Sequence, residues 1–198
     1  MKKLIGIFGS IFALLIFSPL FIVISIAILI ESGLPVLYKQ KRLGKNYKEF
    51  TLYKFRSMIK DADKKGALVT ASHDPRITKI GRFLRKTKLD ELPQLFNVLA
   101  GNMSLVGPRP EVEKYASYYK NDFEYILSKV KPGITDEASI QYRFEEKILA
   151  GKQDYELLYI NELLPKKLIL AKEYADNNNI IKDILIILKT IFIVLFKY

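Results

Sequence analysis

The feature that most restricts this chain is an apolar run near its N-terminus. Leu4–Ile30 spans 27 positions without a charged side chain, and Ser18 and Pro19 lie in its middle. A straight helix of this length would be roughly 40 Å long, whereas a bilayer core needs only about 20 residues. A signal peptide has a shorter apolar stretch and a small-residue cleavage site. Because Glu31-Ser32-Gly33 fits cleavage poorly, we expect a retained membrane helix.

The proline predicts an unusual path for this helix. Pro19 has no N–H, so the carbonyl of Leu15 loses its helical partner and the helix should kink. The adjacent Ser18 hydroxyl can satisfy that carbonyl in lipid. Because Lys and Arg prefer the cytoplasmic side, basic residues at both ends of the run place both ends there. We favour a re-entrant helix broken at Ser18 and Pro19, with a kinked transmembrane span as the alternative. The flanking basic residues are Lys2, Lys3, Lys39, Lys41, Arg42 and Lys45.

The net charge of +11 is concentrated in one block, since residues 39–88 hold 16 Lys and Arg against 4 Asp and Glu. Such a block can be a solvated surface, or it can contact an anionic membrane, a phosphorylated ligand or nucleic acid. The apolar run beside it favours a phospholipid membrane or a phosphorylated ligand. Nucleic acid is disfavoured, because Phe and Tyr mostly belong to apolar patterns and no recognition helix stands out. The chain has no cysteine, which excludes disulfides, thiolate metal sites and a cysteine nucleophile.

The remaining pattern predicts an α+β fold, a mainly helical small domain with short β segments. We divide the chain into a membrane helix at residues 1–33 and a second, membrane-associated domain at residues 34–198. Short strands at residues 35–38 and 50–53 flank a turn at residues 44–46. Apolar spacing predicts helices over residues 77–84, 92–99, 115–130 and 157–175, the last interrupted at Pro165. Residues 180–196 favour an interfacial amphipathic helix, with packing on the core as the alternative.

Candidate chemistry concentrates between Arg82 and Pro110. Asp90 and Glu91 begin a helical pattern whose Pro93 fits a first turn, where the helix dipole keeps a carboxylate ionised. Such a carboxylate suits a nucleophile or a ligand for Mg²⁺, and a helix N-cap is the alternative for Asp90. Arg109 stands between two prolines, which orient it for phosphate oxygens. The basic residues nearby, which could instead contact lipid headgroups, are Arg82, Arg85, Lys86 and Lys88.

Two further motifs carry less weight. Asp61-Ala62-Asp63 has the Asp-x-Asp form of metal-binding glycosyltransferases, but no buried strand precedes it and Lys64-Lys65 follows, which favours a solvated loop. His73 is the only histidine in the sequence, and we interpret it as a turn residue beside Asp74-Pro75.

Several of these segments together resemble the bacterial sugar transferases, the small monotopic polyprenol-phosphate phosphoglycosyl transferases. The resemblance covers about residues 4–145, and its most specific blocks are LDELPQLFNVL and SLVGPRP. The segments that carry it are Ser18-Pro19, YKFRSM (Tyr53–Met58), Asp74–Pro110 and KPGIT (Lys131–Thr135).

The resemblance implies an enzyme that moves a phospho-sugar from a UDP-sugar to undecaprenyl phosphate and releases UMP. It implies that Asp90 is the nucleophile of a covalent intermediate and that Asp90 and Glu91 bind Mg²⁺. Lys54, Arg85 and Arg109 fall at phosphate-neutralising positions, and Ser18-Pro19 matches the break of a re-entrant helix. The implied location is the bacterial cytoplasmic membrane with the site on its cytoplasmic face, where surface glycans such as capsule or lipopolysaccharide begin.

The segment Asp136–Arg143 departs from the family pattern. Arg143 is a candidate phosphate ligand, with a surface salt bridge as the alternative. The sugar, the glycan pathway and a homodimer stay open at the level of sequence. The alternative function is a membrane-anchored basic module that binds anionic lipid or a partner without catalysis.

Overall fold

The computed structural model describes residues 2–64, 66–70, 74–151 and 154–196. The described part is mostly helical with short sheets, which confirms the predicted mixture of elements. Helices are α1 (Lys2–Ser32), α2 (Lys79–Thr87), α3 (Gln94–Leu99), α4 (Glu113–Ala116), α5 (Lys120–Lys129), α6 (Glu137–Gln141), α7 (Glu145–Leu149), α8 (Tyr155–Leu158), α9 (Leu164–Asn177) and α10 (Ile180–Phe196). Strands are β1 (Leu37–Leu43), β2 (Glu49–Phe55), β3 (Ser104–Val106) and β4 (Gly133–Thr135).

Helix α1 contains the apolar run, and Pro19 lies inside it. The Ser18 hydroxyl donates to the Leu15 carbonyl at 2.8 Å, which confirms the predicted compensation for the missing proline N–H. The helical structure continues through Ser18 and Pro19, so these residues do not interrupt it. By length and composition, α1 is the one helix in the described residues that could cross a membrane. The re-entrant path stays a prediction.

One side of α1 packs on the rest of the chain. Ile24 and Ile28 are buried in a cluster with Phe55 of β2 and Leu84 of α2. The opposite side has no such cover, and it exposes large apolar side chains that burial would favour. These include Leu4, Ile5, Phe8, Ile11, Phe12, Leu15, Ile16, Ile22, Val23 and Ile26.

Both ends of α1 are tied to the domain. Lys2 Nζ lies 2.8 Å from Asp183 Oδ2 at the start of α10. At the other end, the Glu31 carboxylate accepts hydrogen bonds from the first two N–H groups of α2, at 2.8 and 3.0 Å. These N–H groups have no partner within α2, so Glu31 completes the helix start.

Two small sheets position the sequence motifs. Strands β1 and β2 pair antiparallel, which confirms the predicted hairpin with longer strands. Strands β3 and β4 pair in parallel and bring the GPRP and PGIT motifs together. This contact requires glycine, because a Cβ at Gly107 would lie 2.4 Å from the Lys131 carbonyl oxygen.

The predicted helices are present with local differences. The region 115–130 is divided by a 3-10 turn at Ser117–Tyr119. The region 157–175 stays helical across Pro165, so the predicted interruption there is wrong. A π-helical turn at Tyr159–Leu163 comes just before the proline. Such a turn changes the hydrogen-bond spacing where the proline cannot donate.

Helix α10 has features of both predicted alternatives, a helix packed on the core and an interfacial amphipathic helix. Ile186 is buried against Val106 and Tyr174, so one face packs on the core. The opposite face is apolar and exposed. Its exposed large side chains are Ile181, Ile184, Leu185, Leu188, Ile191, Phe192 and Phe196.

Candidate active site

Asp90 and Glu91 lie in a short 3-10 turn, Leu89–Glu91, between α2 and α3. Lys88 ends α2 in a left-handed conformation (φ 59°) and redirects the chain into this turn. Both carboxylates are buried. Asp90 Oδ1 is buried without a hydrogen-bond partner among the described residues. Asp90 precedes α3 by several residues and caps neither helix, so the N-cap alternative is wrong.

Glu91 is held by two cations. Arg109 donates through Nη1 to Oε2 at 3.0 Å and through Nη2 to Oε1 at 2.5 Å, a bidentate pair. Lys54 Nζ lies 3.3 Å from the same Oε1. Bidentate arginine–carboxylate pairs are among the stronger and more directional protein contacts. Glu91 therefore orients two of the three residues predicted to neutralise phosphates.

The pKa values of the two neighbouring carboxyl groups, Asp90 and Glu91, shift in opposite directions. Burial raises the pKa of Asp90, and the negative charge of Glu91 adds to the effect although Lys54 opposes it. Burial alone would raise the pKa of Glu91 too, but Arg109 and Lys54 outweigh it and hold that pKa well below its usual value. Such divergence of adjacent groups is typical of sites that assign them different roles.

Lys54 also has an altered acidity. Burial lowers its pKa to about 8, with Arg109 adding to the effect and Glu91 opposing it. Its ammonium group is therefore sensitive to pH near the physiological range, unlike an exposed lysine.

Arg109 is oriented by more than its flanking prolines. Its backbone N–H donates to Asp136 Oδ2 at 3.2 Å, and the other oxygen of Asp136 caps α6 by accepting from Ser139 N. Asp136 is buried, and it lies in the segment that departs from the family pattern. A short polar residue just before a helix was the sequence signal for this cap.

Arg85 and Arg143 border the same cavity as Asp90 and Glu91 but form no hydrogen bond with these two carboxylates. Arg85 Nε donates to Glu146 Oε1 at 3.1 Å. Arg143 Nη1 donates to the Ile193 carbonyl of α10 at 2.5 Å, so the surface salt bridge considered for Arg143 is replaced by a helix contact. Ile193 lies in the last turn of α10, whose carbonyls lack helical partners. The phosphate role of both arginines stays a prediction.

Asp90 and Glu91 border a cavity with a volume of about 1140 Å³. Its walls include the β1–β2 hairpin, the loop after β2, the turn after α2, the GPRP motif and segment 134–146. Residues of α1, α5, α9 and α10 also border it. Asp61 and Asp63 stand exposed at its rim, in agreement with the solvated loop. His73 lies outside the described residues.

The carboxylate oxygens of Asp90 and Glu91 are sufficient ligands for a small Mg²⁺ site. No group of three or more His, Cys, Asp or Glu side chains converges within the described residues. Mg²⁺ often needs only one or two carboxylates, because substrate phosphates and water complete its shell. The unpartnered oxygen of Asp90 fits that requirement. Among the described residues Glu91 Oε2 accepts only from Arg109 Nη1, so it retains a lone pair.

Two supporting residues were missed by the sequence analysis. Asn97 is fully buried and joins α3 to β2, accepting from Tyr53 N and donating to the Thr51 carbonyl. Arg56 is buried and donates to the carbonyls of Ser32 and Gly33 at the end of α1. Arg56 lies inside the YKFRSM motif and Asn97 lies inside the LDELPQLFNVL block, so both belong to segments that carry the family resemblance.

Comparison with known proteins shows which family the chain belongs to. A Bacillus subtilis (strain 168) protein, named provisionally as an undecaprenyl-phosphate N-acetylgalactosaminyl 1-phosphate transferase, is 42% identical over 146 residues, 74% of this chain and 80% of that protein. The UDP-N-acetylgalactosamine-undecaprenyl-phosphate N-acetylgalactosaminephosphotransferase of Aeromonas hydrophila is 33% identical over 96% of this chain and 42% of its own length. The UDP-glucose:undecaprenyl-phosphate glucose-1-phosphate transferase of Escherichia coli (strain K12) is 43% identical over 75% of this chain and 33% of its own length. The profile of the family described as bacterial sugar transferase matches residues 1–197, and the chain belongs to that family.

Proposed function

We propose that this protein transfers a phospho-sugar from a UDP-sugar to undecaprenyl phosphate, with Asp90 as a covalent nucleophile. The observation that carries the proposal is the buried Oδ1 of Asp90, which has no hydrogen-bond partner in the described part of the chain and lies beside the Glu91–Arg109–Lys54 cluster. The relatives named above act on UDP-sugars and undecaprenyl phosphate, which supports the substrate classes. Their sugars differ, and the chain spans less than half of these two relatives, so we assign no sugar.

In the first step, a carboxylate oxygen of Asp90 attacks the β-phosphorus of the UDP-sugar. The new bond joins that oxygen to phosphorus, while the bond from phosphorus to the oxygen bridging the two phosphates breaks. UMP leaves with the bridging oxygen and its electron pair. Burial favours this attack, because a carboxylate with a raised pKa is a stronger base and has less water to displace.

In the second step, a phosphate oxygen of the lipid attacks the same phosphorus. The Asp90–phosphorus bond breaks and the carboxylate is restored, so atoms and charge balance over the cycle. Both steps bring anions together, and Arg109 and Lys54 supply positive charge where the transferring phosphate would sit. Mg²⁺ held by Asp90 and Glu91 would supply further charge neutralisation to the phosphate oxygens.

The attachment of α1 supports a membrane site on one side of the bilayer. Lys2 and Glu31 lie at opposite ends of α1, and both contact the domain that carries Asp90. A helix crossing the bilayer from a domain on one side would place its ends on opposite sides. We therefore propose a re-entrant α1, with the active site at the cytoplasmic face.

The test measures UMP release and the protein adduct. Purified protein in nanodiscs would be mixed with a panel of UDP-sugars and Mg²⁺, first without and then with undecaprenyl phosphate. We expect one UDP-sugar to give UMP and a phospho-sugar mass on the peptide containing Asp90. Asp90→Asn should abolish both, while Asp63→Asn, an exposed carboxylate at the cavity rim, should retain both.

Two results would overturn the proposal. An adduct on another residue, or transfer by the Asp90→Asn protein, would remove Asp90 as the nucleophile. No UMP from any UDP-sugar, together with binding to anionic vesicles, would favour the noncatalytic membrane-anchored module instead.

A further inference from the structure

The backbone that follows Arg109 is held by contacts outside the carboxylate cluster. Arg42 of β1 donates through Nη1 to the Pro110 carbonyl at 3.0 Å and to Glu111 Oε1, also at 3.0 Å. The Glu111 carbonyl in turn accepts from the Leu43 N–H at 2.9 Å. The chain on the C-terminal side of Arg109 is therefore hydrogen-bonded to β1 through both a side chain and the backbone.

The second carboxylate oxygen of Glu111 has a partner from a distant part of the chain. Tyr159 Oη donates to Glu111 Oε2 at 2.5 Å. Tyr159 is buried and lies in the π-helical turn before α9, a type of turn that is frequent at functional sites. Its ring packs on the Tyr115 ring, with centroids 5.3 Å apart, and Lys167 Nζ lies 4.9 Å from its centroid. These contacts hold the ring in place and so fix the direction of its hydroxyl.

The Tyr159 hydroxyl remains a donor at neutral pH. Burial raises the pKa of Tyr159, and the negative charges of Glu111 and Glu145 add to the effect. A phenol has an ordinary pKa of about 10, so the proton stays on Tyr159. A hydrogen bond to an ionised carboxylate is stronger than one between neutral groups. A continuous set of contacts therefore runs from Tyr159 through Glu111 to Arg42.

These contacts hold Arg109 from one side, and Asp136 holds it from the other. Asp136 accepts the Arg109 N–H, and Arg42 donates to the carbonyl of the next residue, Pro110. The Arg109 side chain is 38% exposed, so packing confines it little and its direction depends on the backbone. A bidentate guanidinium has to meet both oxygens of Glu91, and a small displacement weakens both hydrogen bonds.

We propose that Tyr159 is a positioning residue, which acts through Glu111 on the orientation of Arg109. This inference rests on the proposed function, in which Arg109 supplies positive charge to the transferring phosphate. Loss of the hydroxyl would let the segment around Arg109 take other positions while the rest of the fold is kept. Because that charge matters most in the transition state, the loss should appear in kcat for UMP release rather than in KM.

The experiment compares two buried tyrosines that each donate to a carboxylate. Tyr159→Phe removes the hydrogen bond to Glu111. Tyr115→Phe is the matched control, because Tyr115 lies in the same apolar cluster but donates to Glu156, which forms its ion pair with Lys114. Both proteins would be measured in nanodiscs with UDP-sugar and Mg²⁺. We expect kcat about tenfold lower for Tyr159→Phe and within about twofold of wild type for Tyr115→Phe, with KM little changed in both.

Two further measurements follow the route of the effect. Hydrogen–deuterium exchange of the peptide with residues 107–112 should be faster in Tyr159→Phe than in wild type and unchanged in Tyr115→Phe. In a Glu111→Ala background, Tyr159→Phe should lower kcat less than about twofold further, because the partner is already absent. Glu111→Gln keeps hydrogen-bonding groups toward Arg42 and Tyr159, so it should retain more activity than Glu111→Ala.

Each contrary result has a distinct meaning. If wild type releases no UMP from any UDP-sugar, the proposed function fails, whereas the exchange measurement still tests the contact. If wild type is active but Tyr159→Phe keeps its kcat, or loses no more than Tyr115→Phe, Tyr159 has no positioning role. A tenfold loss that persists in the Glu111→Ala background, or that occurs without faster exchange of residues 107–112, would mean that Tyr159 acts by another route and would overturn the proposal.

Discussion

Gly81 provides a sharp test of how α2 is held beside the catalytic turn. A Cβ at this position would lie 1.9 Å from the backbone carbonyl oxygen of Ser57. Since Cβ atoms essentially never come within 3.0 Å of such an atom, Gly81→Ala would move α2 by about 1 Å. The movement would strain two backbone hydrogen bonds that cross this contact, Thr78 N to Ser57 O and Ile59 N to Arg76 O.

The energies predict a clear loss of stability. Alanine in a helix gains about 1 kcal/mol over glycine. Two weakened backbone hydrogen bonds cost about 1 kcal/mol each, and overpacking a tight contact costs about 1–3 kcal/mol more. The clash therefore exceeds the helix gain, and Gly81→Ala should lower the free energy of unfolding by about 2–4 kcal/mol. For a chain of this size, that is a fall of about 4–16 °C in the thermal midpoint.

The assay is thermal unfolding in detergent with UMP release measured in parallel. Because α2 leads directly into the Asp90 turn, activity should fall at temperatures where the variant is still folded. Gly6→Ala is the matched control, since its Cβ would lie 3.6 Å from Val98 in ordinary contact. We expect Gly6→Ala to be neutral or slightly stabilising. A Gly81→Ala protein as stable as Gly6→Ala would refute the reasoning.

Three further predictions follow from single contacts. Glu31→Gln should cost about 0.5–2 kcal/mol in thermal unfolding, because it weakens the cap on the first two N–H groups of α2; an unchanged midpoint would exclude a capping role. UMP release should decline as the pH rises through about 8, since Lys54 loses its proton there, and Lys54→Arg should move the decline to higher pH; identical profiles would assign the decline to another group. Arg76→Met should destabilise the fold by about 1.5–3 kcal/mol at neutral pH, because it removes the charged hydrogen bonds that the guanidinium donates to the half-buried Asp74 carboxylate. Arg76 lowers the pKa of Asp74, so this difference should shrink as the pH falls and Asp74 is protonated, and a difference that persists in acid would contradict the ion pair.

The sequence indicates the members of the candidate site, namely Asp90, Glu91 and Arg109 from their local pattern and Lys54 through the family resemblance. Asp90, Glu91, Lys54 and Arg109 were all candidates, and the structure brings all four together. The sequence could not assign the contacts among these four residues, because the contacts depend on how β2, the turn after α2 and the GPRP motif pack. That packing pairs Arg109 with Glu91 and leaves an oxygen of Asp90 unpartnered, a division that adjacent acidic residues do not reveal.

The same distinction applies to the membrane helices. Local physics in the sequence determined that Leu4–Ile30 forms an apolar helix and that Ser18 compensates for Pro19, because both depend on residues within one helical turn. Only the tertiary structure decided that Lys2 meets Asp183, that Arg143 contacts the end of α10 and that one cavity is bordered by both helices and by Asp90. These contacts join residues far apart in the chain. Their partners are selected by the shape and polarity of packed surfaces, which no local pattern records.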